Sequence, residues 1–254
     1  MVGAHANLNA AAYLARIGYH GSLAPTPETL RLLHRAHMQT VPFENLDISR
    51  SRPIVIDVDA FVRKVVEQRR GGFCYELNGA FAALLRAMGF PVALLSARFR
   101  RDDGSDGPEF DHLALRVDCG EPWLADVGFG DGFLEPLVLK TAVEQEGFLI
   151  MEQAGGSLQV QRRQPDASWK IEYLVAPAPR QLTDFANRCH YHQTSPESHF
   201  TQKRICSRAT TTGRITLSDL RLIITESERK EERMLGSEEQ WHAALEQHFG
   251  IVLR

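Results

Sequence analysis

RGGFCYELN, residues 70–78, sets the reading of this chain. Gly71 and Gly72 cannot extend a preceding helix cheaply, so the backbone turns there and delivers Cys74 to the start of the next helix. That helix is legible from its apolar spacing. Leu77, Phe81, Leu84, Leu85 and Met88 fall at offsets 0, 4, 7, 8 and 11, one face of a 3.6-residue period. Gly89 and Pro91 stop it. A cysteine at a helix N-terminus meets unpaired N–H groups and the positive end of the dipole, which favour a thiolate and make it a candidate nucleophile. The competing reading is a buried structural cysteine, since free cysteine is among the most buried residue types.

Outward from that helix, residues up to 90 carry further helical signals. Tyr13, Leu14 and Ile17 share a face of a first helix, and Thr26-Pro27-Glu28 has the form of an N-cap with proline at the first helical position. VPFENLDI, residues 41–48, reads as an irregular connection. Asp57 or Asp59 caps a helix carrying Val58, Phe61, Val62, Val65 and Val66. From residue 91 the pattern changes to short β runs at 92–99, 112–117, 123–127, 148–153, 158–163 and 169–174, with turn residues between them. An APAP spacer follows at 176–179, then strands at 204–209 and 214–225 and a closing helix over 237–249 capped by Ser237. The expected class is α+β: a helical bundle at 1–90, an antiparallel β barrel at 91–195 and a mixed α/β part at 196–254.

Composition excludes several function classes. A chain of 254 residues with 43% hydrophobic and 24% charged residues buries an ordinary core. A net charge of −3 gives no field for nucleic acid or an anionic membrane. No segment has the apolar length of a membrane span, and the first residues lack the basic and apolar regions of a secretory leader. Cys74, Cys119, Cys189 and Cys206 are widely spaced with no CxxC pair, which points to reduced thiols in a cytoplasm.

A nucleophile needs a base and a group to orient it. His112 begins one β run and Asp126 ends near the next. If residues 119–121 form the hairpin loop with Gly120 at positive φ, residue 112 faces 128 and lies diagonal to 126; a turn centred one residue earlier sets 112 against 126. Either register places His112 and Asp126 on one face and Leu113, Leu115 and Val117 on the other. A chance pair on a polar face is the alternative. DVGFGDGF, residues 126–133, then supplies a glycine-rich backbone that a phosphate or acyl group can approach, or a simple β bulge; its spacing is not that of a dinucleotide site.

VPFENLDI, RGGFCYELN, the His112 strand and DVGFG, in this order, resemble the arylamine N-acetyltransferase family. YLARIGY near the start, HxxHxxxVPFENLDI at 34–48, Pro136-Leu137 and HQTSPESHF at 192–200 extend the match to about residue 225. The resemblance implies a Cys74–His112–Asp126 triad with a cysteine-protease-like core, under a lid formed by residues 196–254. It implies an acetyl-CoA-dependent transferase working by ping-pong kinetics on arylamines, arylhydrazines or N-hydroxyarylamines, with no permanently bound cofactor. Phe43, Phe129 and Phe200 match positions that line the aromatic acceptor pocket, core packing being their alternative role. Gly128 and Gly130 are the expected contacts to the coenzyme. Asp111, directly before the proposed base, departs from the small or hydroxyl residue expected in relatives, and its carboxylate would raise His112 or repel coenzyme phosphates.

Two other functions compete. A papain- or transglutaminase-like cysteine hydrolase has the same order of Cys, His and Asp or Asn, while a binding module would leave Cys74 structural. Cys189, His190, His192, His199 and Cys206 form a group of potential zinc ligands, but lack paired CxxC or HxxxH spacing, so no metal is expected.

Overall fold

The computed structural model describes residues 9–101, 103–227 and 229–253. Residues 1–8, on which the expectation about a secretory leader partly rests, lie outside the described residues. Helix α1 (Ala10–Arg16) starts at Asn9, whose side chain accepts the Ala12 N–H. Thr26 does the same for Thr29 at the start of α2 (Pro27–Thr40), which buries Leu30, Leu33, His34 and His37. VPFENLDI is not an irregular connection: it forms β1 (Phe43–Glu44) and α3 (Leu46–Ser49). Elements of two and four residues are too short to show a period. Asp57 accepts the Ala60 N–H and starts α4 (Val58–Val62), which runs into a π turn over residues 63–67.

Helix α5 (Cys74–Ala87) begins at the nucleophile candidate. It buries more than the expected stripe, because Tyr75, Asn78, Gly79, Ala80 and Ala82 are buried beside Leu77, Phe81, Leu84 and Leu85. Small residues on its second face let α4 and the barrel wall close around it, making α5 the central helix of the largest core cluster.

Eight antiparallel strands follow: β2 (Val92–Phe99), β3 (His112–Cys119), β4 (Glu121–Ala125), β5 (Leu137–Val138), β6 (Glu144–Gln145), β7 (Phe148–Glu152), β8 (Leu158–Arg163) and β9 (Trp169–Arg180). They pair in the order β5-β4-β3-β2-β9-β8-β7-β6 and curl into a nearly closed barrel around Leu95, Ala97, Leu137, Ile150, Val160 and Val175. The APAP stretch is no spacer, for it lies inside β9. Pro179 sits opposite Leu95, and a register shift between Leu95 and Ala97 absorbs the residues that cannot join the ladder. The β3–β4 hairpin pairs Cys119 with Glu121 and Leu115 with Ala125, so it is centred on Gly120 at φ +79°, the first of the two expected registers.

After the barrel come α6 (Ala186–Thr194) and α7 (His199–Gln202). A second antiparallel sheet orders β1-β10-β11-β12-β13, with β10 (Ile205–Ala209), β11 (Gly213–Ser218), β12 (Arg221–Glu226) and β13 (Arg229–Met234). The strand expected over 214–225 is therefore two strands, broken at Asp219, which adopts φ +45° without a glycine to announce the turn. Strand β13, RKEERM, is exposed throughout and carries no alternation a sequence reading can find. Helix α8 (Glu238–Phe249), capped by Ser237, packs Trp241, Leu245 and Phe249 on this sheet. Among the described residues no helix is long and apolar enough to cross a membrane.

Candidate active site

The chain turn at Gly71-Gly72 leaves Phe73 as N-cap and Cys74 as the first residue of α5. The Glu76 carboxylate reaches back to the Phe73 N–H at 3.1 Å, fixing the first turn. Glu76 is itself held by Lys64, 2.7 Å away, within a buried group that also contains Glu44, Asp47 and Arg70. Two cations face three carboxylates there. Lys64 is held above its ordinary range and Asp47 below its own by their mutual attraction outweighing burial, whereas burial pushes Glu76 up to about 7. Glu76 rises despite Lys64 because it is fully buried and lies near the Glu44 carboxylate.

The His112 Nε2 lies 2.7 Å from Asp126 Oδ2, and both side chains are fully buried. Asn78, one helical turn after Cys74, ties this pair to α5. Its amide donates to Asp126 Oδ1 at 2.8 Å and to the Leu113 carbonyl at 2.6 Å, and its oxygen accepts the Val127 N–H at 2.9 Å. The Gly128 N–H also donates to Asp126 Oδ1, at 3.0 Å. A Cβ on Gly128 would stand 2.8 Å from the Cys74 Cα, so only glycine lets the DVGFG loop lie against the Cys74 backbone. Beneath the carboxylate, His34 accepts the Asp126 N–H through Nε2 at 3.1 Å, and its Nδ1 meets the Leu134 carbonyl at 2.8 Å. The acceptor role of Nε2 fixes the neutral tautomer with the proton on Nδ1.

These contacts set the charges. Burial alone would raise Asp126, but His112, the Asn78 amide and the Gly128 N–H together hold its carboxyl below the ordinary range. Burial lowers His34 to about 4, so its imidazole is neutral. Burial also pushes the Cys74 thiol up; the Leu113 N–H pulls it down, and the carboxylates of Asp126 and Asp111 push it up again. The helix terminus therefore does not by itself produce the thiolate expected from sequence.

Of the three aromatic positions, Phe43 and Phe200 meet each other with ring centroids 6.1 Å apart, and Phe200 also meets Phe73 at 5.7 Å. Phe129 packs with its ring centroid 5.9 Å from that of His112 and 5.2 Å from that of Tyr173. All three are half-buried. Gly130 joins the two groups, because a Cβ there would lie 3.3 Å from the Phe43 ring. Gly128 has its N–H bonded to Asp126 and packs against Cys74. The zinc-ligand group is dispersed: Cys189 is buried beside Gln193, Cys206 lies in β10, and His190 and His199 are exposed. Among the described residues no three His, Cys, Asp or Glu side chains gather as a metal site, and the cysteines are free thiols.

Asn78 and His34 are the residues the sequence reading quoted without a role. The signal for Asn78 was its spacing of four from Cys74, which puts both on one helix face. His34 gave none, because its partner lies far away in sequence.

A family model described as N-acetyltransferase matches residues 26–254. An arylamine N-acetyltransferase of Escherichia coli is 32% identical over 248 residues, covering 94% of this chain and 87% of that one. An arylamine N-acetyltransferase / N-hydroxyarylamine O-acetyltransferase of Salmonella typhimurium is 35% identical over 214 residues, covering 82% and 76%. The solved structure of Mycobacterium marinum arylamine N-acetyltransferase in complex with CoA superposes with a TM-score of 0.88 at 30% identity, covering 96% of this chain and 93% of that chain.

Proposed function

We propose a mechanism for this chain from the premise that it belongs to the arylamine N-acetyltransferase family. It is an acetyl-CoA-dependent acetyltransferase acting on aromatic amines. In our reading Cys74 is the nucleophile, His112 the base and Asp126 the group that orients it, inside a cysteine-protease-like core. The observation that carries this is the joint hold of Asn78 and His112 on one buried carboxylate, which locks the nucleophile helix and the base strand together.

With Nε2 of His112 bound to Asp126, Nδ1 is the nitrogen left to exchange a proton with Cys74. The thiol passes its proton to His112 as the sulfur attacks the thioester carbonyl, and the imidazolium so formed is stabilised by Asp126. The Cys74 N–H, at the first helical position, faces the developing oxyanion. The C–S bond to coenzyme A breaks, His112 returns its proton to the departing thiolate, and acetyl-Cys74 remains. An arylamine then attacks this thioester, His112 takes the amine proton, and the Cys74 thiol re-forms. One nucleophile visited in turn by two substrates gives ping-pong kinetics. Phe43, Phe129 and Phe200 wall the acceptor pocket, the loop at Gly128 and Gly130 borders the coenzyme's acyl end, and residues 196–254 cover the site. Residues 1–90 supply the nucleophile and 91–195 the base and its orienter. Four free thiols fit a cytoplasmic enzyme.

The test is intact-mass analysis after incubation with acetyl-CoA, followed by discharge with aniline or with buffer alone. One acetyl group on Cys74, removed much faster by aniline than by water, is expected. Discharge by water as fast as by aniline would make the protein a hydrolase.

A further inference from the structure

Asp111, the residue before the base, is met by two side chains of α6. Its Oδ1 accepts from Arg188 Nε at 3.0 Å and also from Arg188 Nη2, and His192 Nε2 lies 3.1 Å from the same oxygen. The carboxylate expected to disturb His112 or repel a coenzyme is thus paired with the Arg188 guanidinium, and its carboxyl is held below the ordinary range. The Asp111 carbonyl accepts from the Tyr75 hydroxyl at 3.3 Å, which ties the same residue to the position after Cys74.

The far side of His192 faces α7. Its Nδ1 lies 3.3 Å from Ser198 Oγ, and that hydroxyl accepts the Phe200 N–H at 3.2 Å. The His192 and Phe200 rings stand edge to face with centroids 5.1 Å apart. His192 and Ser198 are buried, at 6% and 3% exposure, so this linkage is shielded from solvent. A continuous run of polar contacts therefore connects the residue preceding the base to a wall of the acceptor pocket. The α6–α7 segment has other anchors, through Asn45 to the Phe200 carbonyl at 2.9 Å and through Gln193 to Ile54 at 2.6 Å. The first holds the Phe200 backbone and the second the Gln193 side chain. The Asp111 cluster instead touches the face of the segment that presents the Phe200 ring.

We propose that Arg188, Asp111 and His192 form a positioning clamp that fixes Phe200 relative to His112 and thereby selects among aromatic amines. The proposal rests on the acetyltransferase reading. The clamp is read on the second half-reaction, in which the amine enters the pocket that Phe200 walls. An ion pair that only stabilised the fold would lower stability and leave acceptor preference alone.

The experiment uses Asp111→Ala, Phe200→Ala and the double variant, with acetylation of Cys74 by acetyl-CoA measured separately from discharge by aniline and by a bicyclic arylamine. The acetylation rate serves only to normalise discharge, because the Asp111 carboxylate also acts on the Cys74 thiol. Asp111→Ala should shift the ratio of kcat/KM for the two amines by about tenfold, or ~1.4 kcal/mol. In the Phe200→Ala background the same change should move that ratio by less than about twofold, because coupled residues are not additive. An unchanged ratio, or an equal shift in both backgrounds, overturns the clamp. If Asp111→Ala does not fold, Arg188→Gln is read by the same criteria. Failure of the parent to acetylate Cys74 at all would overturn the transferase reading itself; normal acetylation with additive variants overturns the clamp alone.

Discussion

Replacing Asn78 by Ala tests the joint on which the candidate site depends. The amide makes three buried bonds, to Asp126, Leu113 and Val127. Truncation leaves the Val127 N–H without this acceptor, removes a donor from a charged carboxylate and another from a neutral carbonyl. Such losses cost about 1–3 kcal/mol for a buried orphan, about 1.5–3 for a bond to a charge and about 0.5–1.5 for a neutral bond. The expected destabilisation is therefore about 3–7 kcal/mol. That is a large share of the roughly 5–15 kcal/mol of a natural domain. At about 2–4 °C per kcal/mol for a chain of this size, the melting temperature should fall by at least about 6 °C. Activity should suffer separately, since Asp126 keeps His112 and Gly128 but loses its link to the nucleophile helix. A displacement near 1 Å at such a joint slows chemistry on the order of 10²-fold. Urea unfolding measures the first effect, and single-turnover acetylation well below the melting temperature measures the second. A loss under about 1 kcal/mol together with normal acetylation would refute the argument that Asn78 holds the site together.

Asp126→Asn should fold but lose turnover on the order of 10⁴-fold, because an amide disfavours the required imidazole tautomer; near-normal turnover would mean that another group orients His112. His34 is held near 4 in the folded state against 6.5 when unfolded. Its depressed value contributes stability that is complete above about 6.5 and is lost as pH falls toward 4, worth on the order of 3 kcal/mol. His34→Gln should flatten the unfolding midpoint between those pH values, and an unchanged slope counts against the neutral anchor. Phe129→Ala should reduce the preference for aniline over an alkylamine by about two- to tenfold, the size of one aromatic contact. Equal discharge ratios in both proteins would move Phe129 out of the acceptor pocket.

What was legible in the sequence had local causes. Gly71-Gly72 and the α5 face announced Cys74, and β alternation put His112 and Asp126 on one face whichever way the hairpin turned. The partners that give those residues their charge states are non-local: His34 from α2 and Asn78 from α5 hold Asp126, and burial, which no local pattern shows, raises the Cys74 thiol. Strand β13 escaped because its first five residues, RKEER, are all charged and show no alternation. Strand β9 was cut short because prolines normally end strands, and nothing in residues 176–179 reveals the register shift that accommodates them.

Strand β1 has a consequence for how the molecule comes to be made. Phe43 and Glu44 pair with Ser207 and Cys206, and on the other side Glu44 takes the Gly72 carbonyl while Phe43 bridges to Gly72. The bend that aims the thiol is thus backed by a strand whose own neighbour is synthesised much later. A ribosome working from the first residue completes α5 and the barrel while that neighbour is still untranslated. During that interval the turn before Cys74 is backed by a strand whose other edge is still unpaired, and that edge closes only when residues 205–209 emerge.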